Sequence, residues 1–280
     1  MSRLEGRKNE QLRTTHIKYE GLDRVDGSAR FGFGETESLA SVSGPIEVRP
    51  NSESPSQATL EVHIRPLAAI AGTDSKALSA TLKSILIPAL LLSQHPRTLV
   101  QIVGQALCGS ESGAGYGSAG RGWHASLVAS LINACSAALV NASSVPMKGV
   151  VCAVAIGRLR DPSSSLSSPT LVLDPSEAEL SRLVGGGCFA FMFSSTLSKP
   201  LQSDADVPSS SLLWTNYTAM GGAFGDAEFE EARQLAENGA TLVWQSFKDS
   251  LQNGQVSRPA TELKKKALDE EPVDDEKMEI

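Results

Sequence analysis

Apolar residues recur along this chain with two periods, and the order of those periods most limits the folds open to it. Glu37-Ser-Leu39-Ala-Ser-Val42 reads as a strand, and Ala58-Thr-Leu60-Glu-Val62-His-Ile64 alternates cleanly as a half-buried strand does. From Asp74 to Leu92 the pattern is helical: Leu78, Leu82, Ile85, Leu86 and Ala89 return at three- and four-residue steps until His95-Pro96 closes the segment. Thr98 to Val103 is again a strand. Ala125 to Ala142 is a helix rich in Ala and Ser, small enough to pack closely against a sheet. The second half repeats the succession with strands at Gly149 to Ala155, Thr170 to Asp174, Phe189 to Phe193 and Leu212 to Met220, and then a closing helix. Strands, helix, strands and helix, twice over, predict two related α+β halves packed together.

The closing helix carries the clearest pattern. Asp226 after Gly225 reads as its N-cap. Phe229, Ala232, Ala236, Ala240, Val243, Phe247 and Leu251 form one apolar stripe, which Gly239 weakens slightly. Asn51 to Gln57 is turn chemistry and Arg160 to Pro169 a loop. Gly109 to Gly122 is a Gly/Ser-rich insertion, expected to be a mobile hairpin tip. The expected organisation is a flexible start over residues 1–13, one folded domain over 14–256 and a disordered acidic tail over 257–280.

Charge narrows the function classes. The net charge is −7, and from Ala260 onward there are eight acidic against four basic residues. A near-neutral body of this kind lacks the basic face of an autonomous nucleic-acid binder. The N-terminus is charged without an apolar core, so no secretory signal is expected. The run Ile85 to Leu92 contains Pro88 and is too short to span a bilayer. Cys108, Cys135, Cys152 and Cys188 are scattered without a CxxC pair, which favours buried free thiols in an intracellular protein. The sequons at Asn141 and Asn216 are then coincidental.

Three constellations resemble sites and are better explained otherwise. Gly115-Tyr-Gly117-Ser-Ala-Gly120 matches GxGxxG, but Val140 and Asn141 stand where a ribose-binding acid belongs. Trp123-His124-Ala125-Ser126 is neither a triad nor a nucleophile elbow. His16, His63 and His95 have no ligand-spaced partners, so no metal site and no cofactor are expected.

One tract points to a family. Asp26-Gly27-Ser28-Ala29-Arg30-Phe31-Gly32-Phe33-Gly34-Glu35-Thr36, continuing to Val42-Ser43-Gly44-Pro45, resembles the entry segment of the ribonuclease PH family, a glycine-punctuated hairpin leading into a buried strand that ends at Gly-Pro. Leu139-Val140-Asn141-Ala142-Ser143-Ser144-Val145-Pro146-Met147 resembles a second family landmark at the family's spacing. The resemblance covers roughly Leu22 to Leu251. It implies an α+β ribonuclease PH fold, a two-repeat βαβα arrangement like domain 2 of ribosomal protein S5.

Members of that family shorten RNA from its 3′ end by phosphorolysis, which brings two anionic groups together and therefore needs a cation and aimed donors. The family supplies an Arg flanked by Ser or Thr at the start of the central helix. Aligned from the downstream landmark, the equivalent here is Ser126-Leu127-Val128, and no arginine lies between Trp123 and Met147. Of the family's paired acids, Asp174 is kept and Ser168 stands six residues before it. The resemblance thus implies a fold without its catalytic residues. Arg97, in His95-Pro96-Arg97-Thr98, matches an arginine that the family keeps next to the phosphate site, and it is the candidate nucleic-acid-binding residue.

A catalytically degenerate member looks like a ring subunit of the eukaryotic RNA exosome, working in nucleus, nucleolus and cytoplasm. The implied partners are the other ribonuclease-PH-like subunits of a hetero-hexameric ring, the cap proteins, RNA in the shared channel and associated catalytic nucleases, with no membrane. The alternative is an active phosphate-dependent 3′–5′ exoribonuclease.

Overall fold

The computed structural model describes residues 3, 6–67, 70–108, 123–159, 169–195, 208–220 and 223–256. The Gly/Ser insertion at 109–122 with its GxGxxG match, Ser168, most of the 160–169 loop and the tail at 257–280 lie outside them.

The glycine-rich tract forms a hairpin. β1 (Thr15–Tyr19), β2 (Gly27–Phe33) and β3 (Thr36–Glu47) make an antiparallel meander, turning at Gly34 with φ 54°. β3 does not end at Gly44-Pro45, as the resemblance implied. It crosses that cis peptide with a register shift and pairs on to Glu47. Gly44 is needed there: its φ is 139°, and a Cβ would lie 2.6 Å from the Leu99 carbonyl oxygen. The Asp26 carboxylate fixes the crossing by accepting the Gly44 N–H at 2.7 Å. β4 (Thr59–Arg65) and β5 (Thr98–Cys108) complete a sheet ordered β1-β2-β3-β5-β4, with β4 parallel to β5. Alternation held for β4: Leu60, Val62 and Ile64 enter the core while His63 and Arg65 face out.

α1 (Thr73–Leu86) stops six residues before the apolar pattern does. Pro88 opens a 3-10 turn over Ile87–Ala89, because it has no N–H to continue the helix. Ala89, Leu90 and Leu92 are buried all the same, so the apolar spacing outlasts the helix.

α2 (Ala125–Ala142) has the predicted bounds and lies between the halves. On one side, Ser130 Oγ donates to the Phe31 carbonyl at 3.0 Å. On the other, Asn133 meets β6 (Val150–Leu159). β7 (Thr170–Leu173) pairs only with residues 156–159 of β6, which leaves the strand edge open earlier. There Asn133 Nδ2 donates to the Ala153 carbonyl at 2.8 Å and Oδ1 accepts the Ala153 N–H at 2.7 Å. The buried amide completes the edge as a neighbouring strand would.

β8 (Leu183–Ser194), β9 (Ser209–Thr215) and β10 (Thr218–Ala219) finish a second sheet ordered β10-β8-β6-β7, with β9 also paired to β8. α3 (Asp226–Val256) closes the chain. Among the described residues it is the second half's single α-helix. The Phe229 N–H donates to the Gly225 carbonyl, so Gly225 caps α3 and Asp226 is its first helical residue. Ala232, Ala236, Ala240, Val243 and Phe247 are buried as predicted, whereas Leu251 leaves the stripe. Phe247 stacks on Phe31 at 5.8 Å and Trp244 on Phe193 at 6.3 Å, so one helix ties both sheets together. Gly239 is a close-approach site rather than a weakness: a Cβ there would sit 2.7 Å from Leu173 Cδ1.

Candidate functional site

The family resemblance implies an anion site at the start of α2. α2 begins at Ala125, and its first helical bond runs from the Val128 N–H to the His124 carbonyl at 3.0 Å. Leu127 and Val128 point into the core, 0% and 3% exposed. Apolar and enclosed, they offer an anion neither charge nor side-chain donor. His124, 5% exposed, is the N-cap residue.

His124 carries no charge at neutral pH. Burial, with the adjacent Arg13 charge, pushes its imidazole down to about 4, against a smaller opposing pull from Asp174. Ser126 Oγ donates to the Pro175 carbonyl at 3.2 Å. The first turn of α2 therefore supplies no cation.

Asp174, the retained acid, is buried just after β7 with φ 48°, a conformation a non-glycine residue holds only when its surroundings enforce it. Its N–H donates to the Ala155 carbonyl at 2.8 Å. Arg13 grips its carboxylate through Nε at 2.8 Å, Nη2 at 2.7 Å and the backbone N–H at 3.1 Å. Arg13 Nη1 also donates to Thr36 Oγ1 at 3.1 Å. The Asp174 carbonyl accepts from Arg3 at 2.9 Å and from Arg7 at 3.3 Å. Arg3 in turn forms a two-point pair with Glu179 at 2.9 and 2.7 Å. Burial alone would raise the Glu179 carboxyl. Hydrogen bonds from Arg3 and the Ser176 N–H, with the Arg3 and Arg7 charges, hold it below the ordinary carboxylate range.

Arg3, Arg7 and Arg13 overturn the expectation of a flexible start through residue 13. They strap the N-terminal segment across Asp174 and Glu179. The sequence held one signal for this, three arginines within thirteen residues in a stretch with little apolar content, but nothing in it named their partners. Among the described residues no group of three His, Cys, Asp or Glu side chains could hold a metal. Burial raises the Cys135 thiol to about 12 and lifts those of Cys152 and Cys188 well above their ordinary value, which leaves them inert.

Arg97 stands elsewhere. β5 is 11 residues long, roughly 35 Å of strand. Its Cys108 end lies beside the first turns of α2, since Ser130 bonds to Phe31 and Ser38, and Ser38 pairs with Ala106. Arg97 precedes the other end, where Thr98 pairs with Glu47. The structure does not bring Arg97 to Asp174. Its side chain is 70% exposed and its Nε lies 3.3 Å from Glu53 Oε1.

Comparison with known proteins gives four further findings. A sequence model of the RNase PH group, described as the 3′ exoribonuclease family, domain 1, matches residues 11–144. The chain is 34% identical over 182 residues to the exosome complex exonuclease RRP46 homolog of Oryza sativa subsp. japonica, covering 65% of this chain and 67% of that one. It is 30% identical over 258 residues to the exosome complex component Rrp41 of Thermococcus gammatolerans, covering 89% and 88%. The crystal structure of rice Rrp46 superposes with a TM-score of 0.68 at 26% identity, over 89% of this chain and 100% of that chain.

Proposed function

The chain belongs to the ribonuclease PH family, and from that membership we propose that it is a non-catalytic ring subunit of an RNA exosome, of the Rrp46 type. One observation carries the loss of catalysis: at the start of α2, where the chemistry needs a cation, stands the buried and neutral His124. No arginine lies between Trp123 and Met147, and the retained acid Asp174 is held by Arg13. Losing one preorganised donor in an anion site typically lowers a rate by about 10²–10³.

In this reading the folded unit over residues 14–256, extended by its arginine strap, contributes surfaces rather than chemistry. Its partners are other ribonuclease-PH-like subunits in a hetero-hexameric ring, the cap proteins above it, RNA in the shared channel and the nucleases that receive that RNA. Its work is support of 3′–5′ RNA processing, ribosomal RNA maturation included, in nucleus, nucleolus and cytoplasm. Arg97 is its candidate contact to the RNA backbone.

The test is a 3′-labelled single-stranded RNA incubated with the purified chain, phosphate and a divalent ion. No nucleoside diphosphate should appear. Mixing the chain with a ring partner should give one heterodimer peak with a raised melting temperature. The second reading, a phosphate-dependent 3′–5′ exoribonuclease, is favoured by the word exonuclease in the name of the rice relative. Phosphate-dependent release of nucleoside diphosphates would establish it.

A further inference from the structure

The turn before β5 is built around a residue that local conformation disfavours. Pro96 and Arg97 form the turn, and Arg97 has φ 60°. A turn whose second central residue takes positive φ favours Gly or Asn there. An arginine in that place strains the backbone and keeps a guanidinium. Its N–H donates to the Ser54 carbonyl at 3.1 Å, and Thr98 Oγ1 donates to the His95 carbonyl at 2.7 Å. These bonds hold the turn and need no Arg side chain. The Arg97 side chain is 70% exposed and, among the described residues, its guanidinium pairs with Glu53, whose side chain is 34% exposed.

An exposed pair of this sort is weak and easily exchanged. A second exposed cation, Arg49, sits just beyond Glu47, the residue that pairs with Thr98. Two guanidiniums thus leave the ends of neighbouring strands.

Resting on the ring-subunit reading above, we propose that Glu53 acts as an internal stand-in for phosphate. It occupies Arg97 in the RNA-free state, and an RNA phosphodiester displaces it. The exchange is a simple swap of acceptors, carboxylate for phosphate, at one guanidinium. Glu53 thereby sets how tightly the chain holds RNA.

The experiment uses the full chain assembled with its ring partners and a fluorescein-labelled oligouridylate, titrated at several salt concentrations. Arg97→Gly should weaken binding and lower the slope of log K against log salt by about 0.7, one single-strand phosphate contact. Its melting temperature should stay within about two degrees of the parent, because Gly suits the turn. Glu53→Gln should tighten binding about two- to fivefold, the equivalent of one exposed ion pair. That gain should vanish in the Arg97→Gly background.

If Arg97→Gly weakens binding while Glu53→Gln changes nothing, the exchange is wrong and the RNA contact stands. A Glu53→Gln gain that survives in the double variant shows a bulk charge effect and also overturns it. If Arg97→Gly breaks the ring without altering RNA affinity, the turn is a protein contact and the proposal falls. The phosphorolysis and heterodimer tests are independent of all these outcomes.

Discussion

Arg13–Asp174 and Arg97–Glu53 are the same chemical pair in opposite settings. In the first, both side chains are buried, at 9% and 1% exposure, three donors converge on one carboxylate and two further arginines share the neighbourhood. In the second, one contact at 3.3 Å joins side chains that are 70% and 34% exposed. Asp174 and Arg97 both hold positive φ. Burial therefore separates a clamp that the fold depends on from a contact that the fold can lose. Sequence alone showed neither setting, since Asp174 is gripped by Arg13 and Arg97 stands at the far end of β5.

Removing Arg13 should produce the largest effect. Arg13→Met leaves Asp174 buried with its main partner gone, and breaking a buried pair in this way typically destabilises by about 3–5 kcal/mol. The urea midpoint should fall with the m-value unchanged. Adding Asp174→Asn should recover most of the loss, because the side chain becomes neutral and asparagine tolerates positive φ. A loss in Arg13→Met below about 1 kcal/mol would put the buried pair in the class of the exposed one and erase the contrast.

The next effect depends on pH and tests the buried setting itself. His124 faces Arg13 and Asp174, and its folded-state value of about 4 lies below the ordinary 6.5. Between those values the unfolded chain binds a proton that the folded one refuses, so stability should fall as pH drops from 6.5 towards 4. The full contribution is at most about 3 kcal/mol. His124→Gln should flatten that part of the profile relative to the parent. Parallel profiles in the two proteins would mean that His124 is not held neutral.

Much of the fold was legible because periodicity reports burial. β4 alternates because one face of its sheet is open, and the stripe on α3 is the line along which it meets both sheets. The misreadings have physical causes too. Apolar spacing past Pro88 signalled burial of Leu90 and Leu92, not helix. Gly239 looked like a helix defect because the β7 side chain that needs the space is far away in sequence. The site was less legible. Asp174 and the absence of an arginine in α2 could be read directly, but the burial of His124 beside Arg13 and Asp174 could not. Arg3, Arg7 and Glu179 meet across more than 160 residues, a pairing that no local pattern encodes.

The smallest predicted effect is the one most diagnostic of the exposed pair. Arg97→Gly removes an ion pair whose exposure limits it to about 0–1 kcal/mol. It also relieves the positive φ, which favours the folded state, while the added freedom of glycine in the unfolded chain opposes this by about 0.4–1 kcal/mol. These terms offset one another, so the unfolding free energy should stay within about 0.5 kcal/mol of the parent, as for surface substitutions generally. Glu53→Gln, which keeps the backbone and removes one charge, should change it no more. Urea titration of both variants checks this. If either loses as much stability as Arg13→Met, the Arg97 turn is a structural clamp in its own right, and its guanidinium is not available for exchange with RNA.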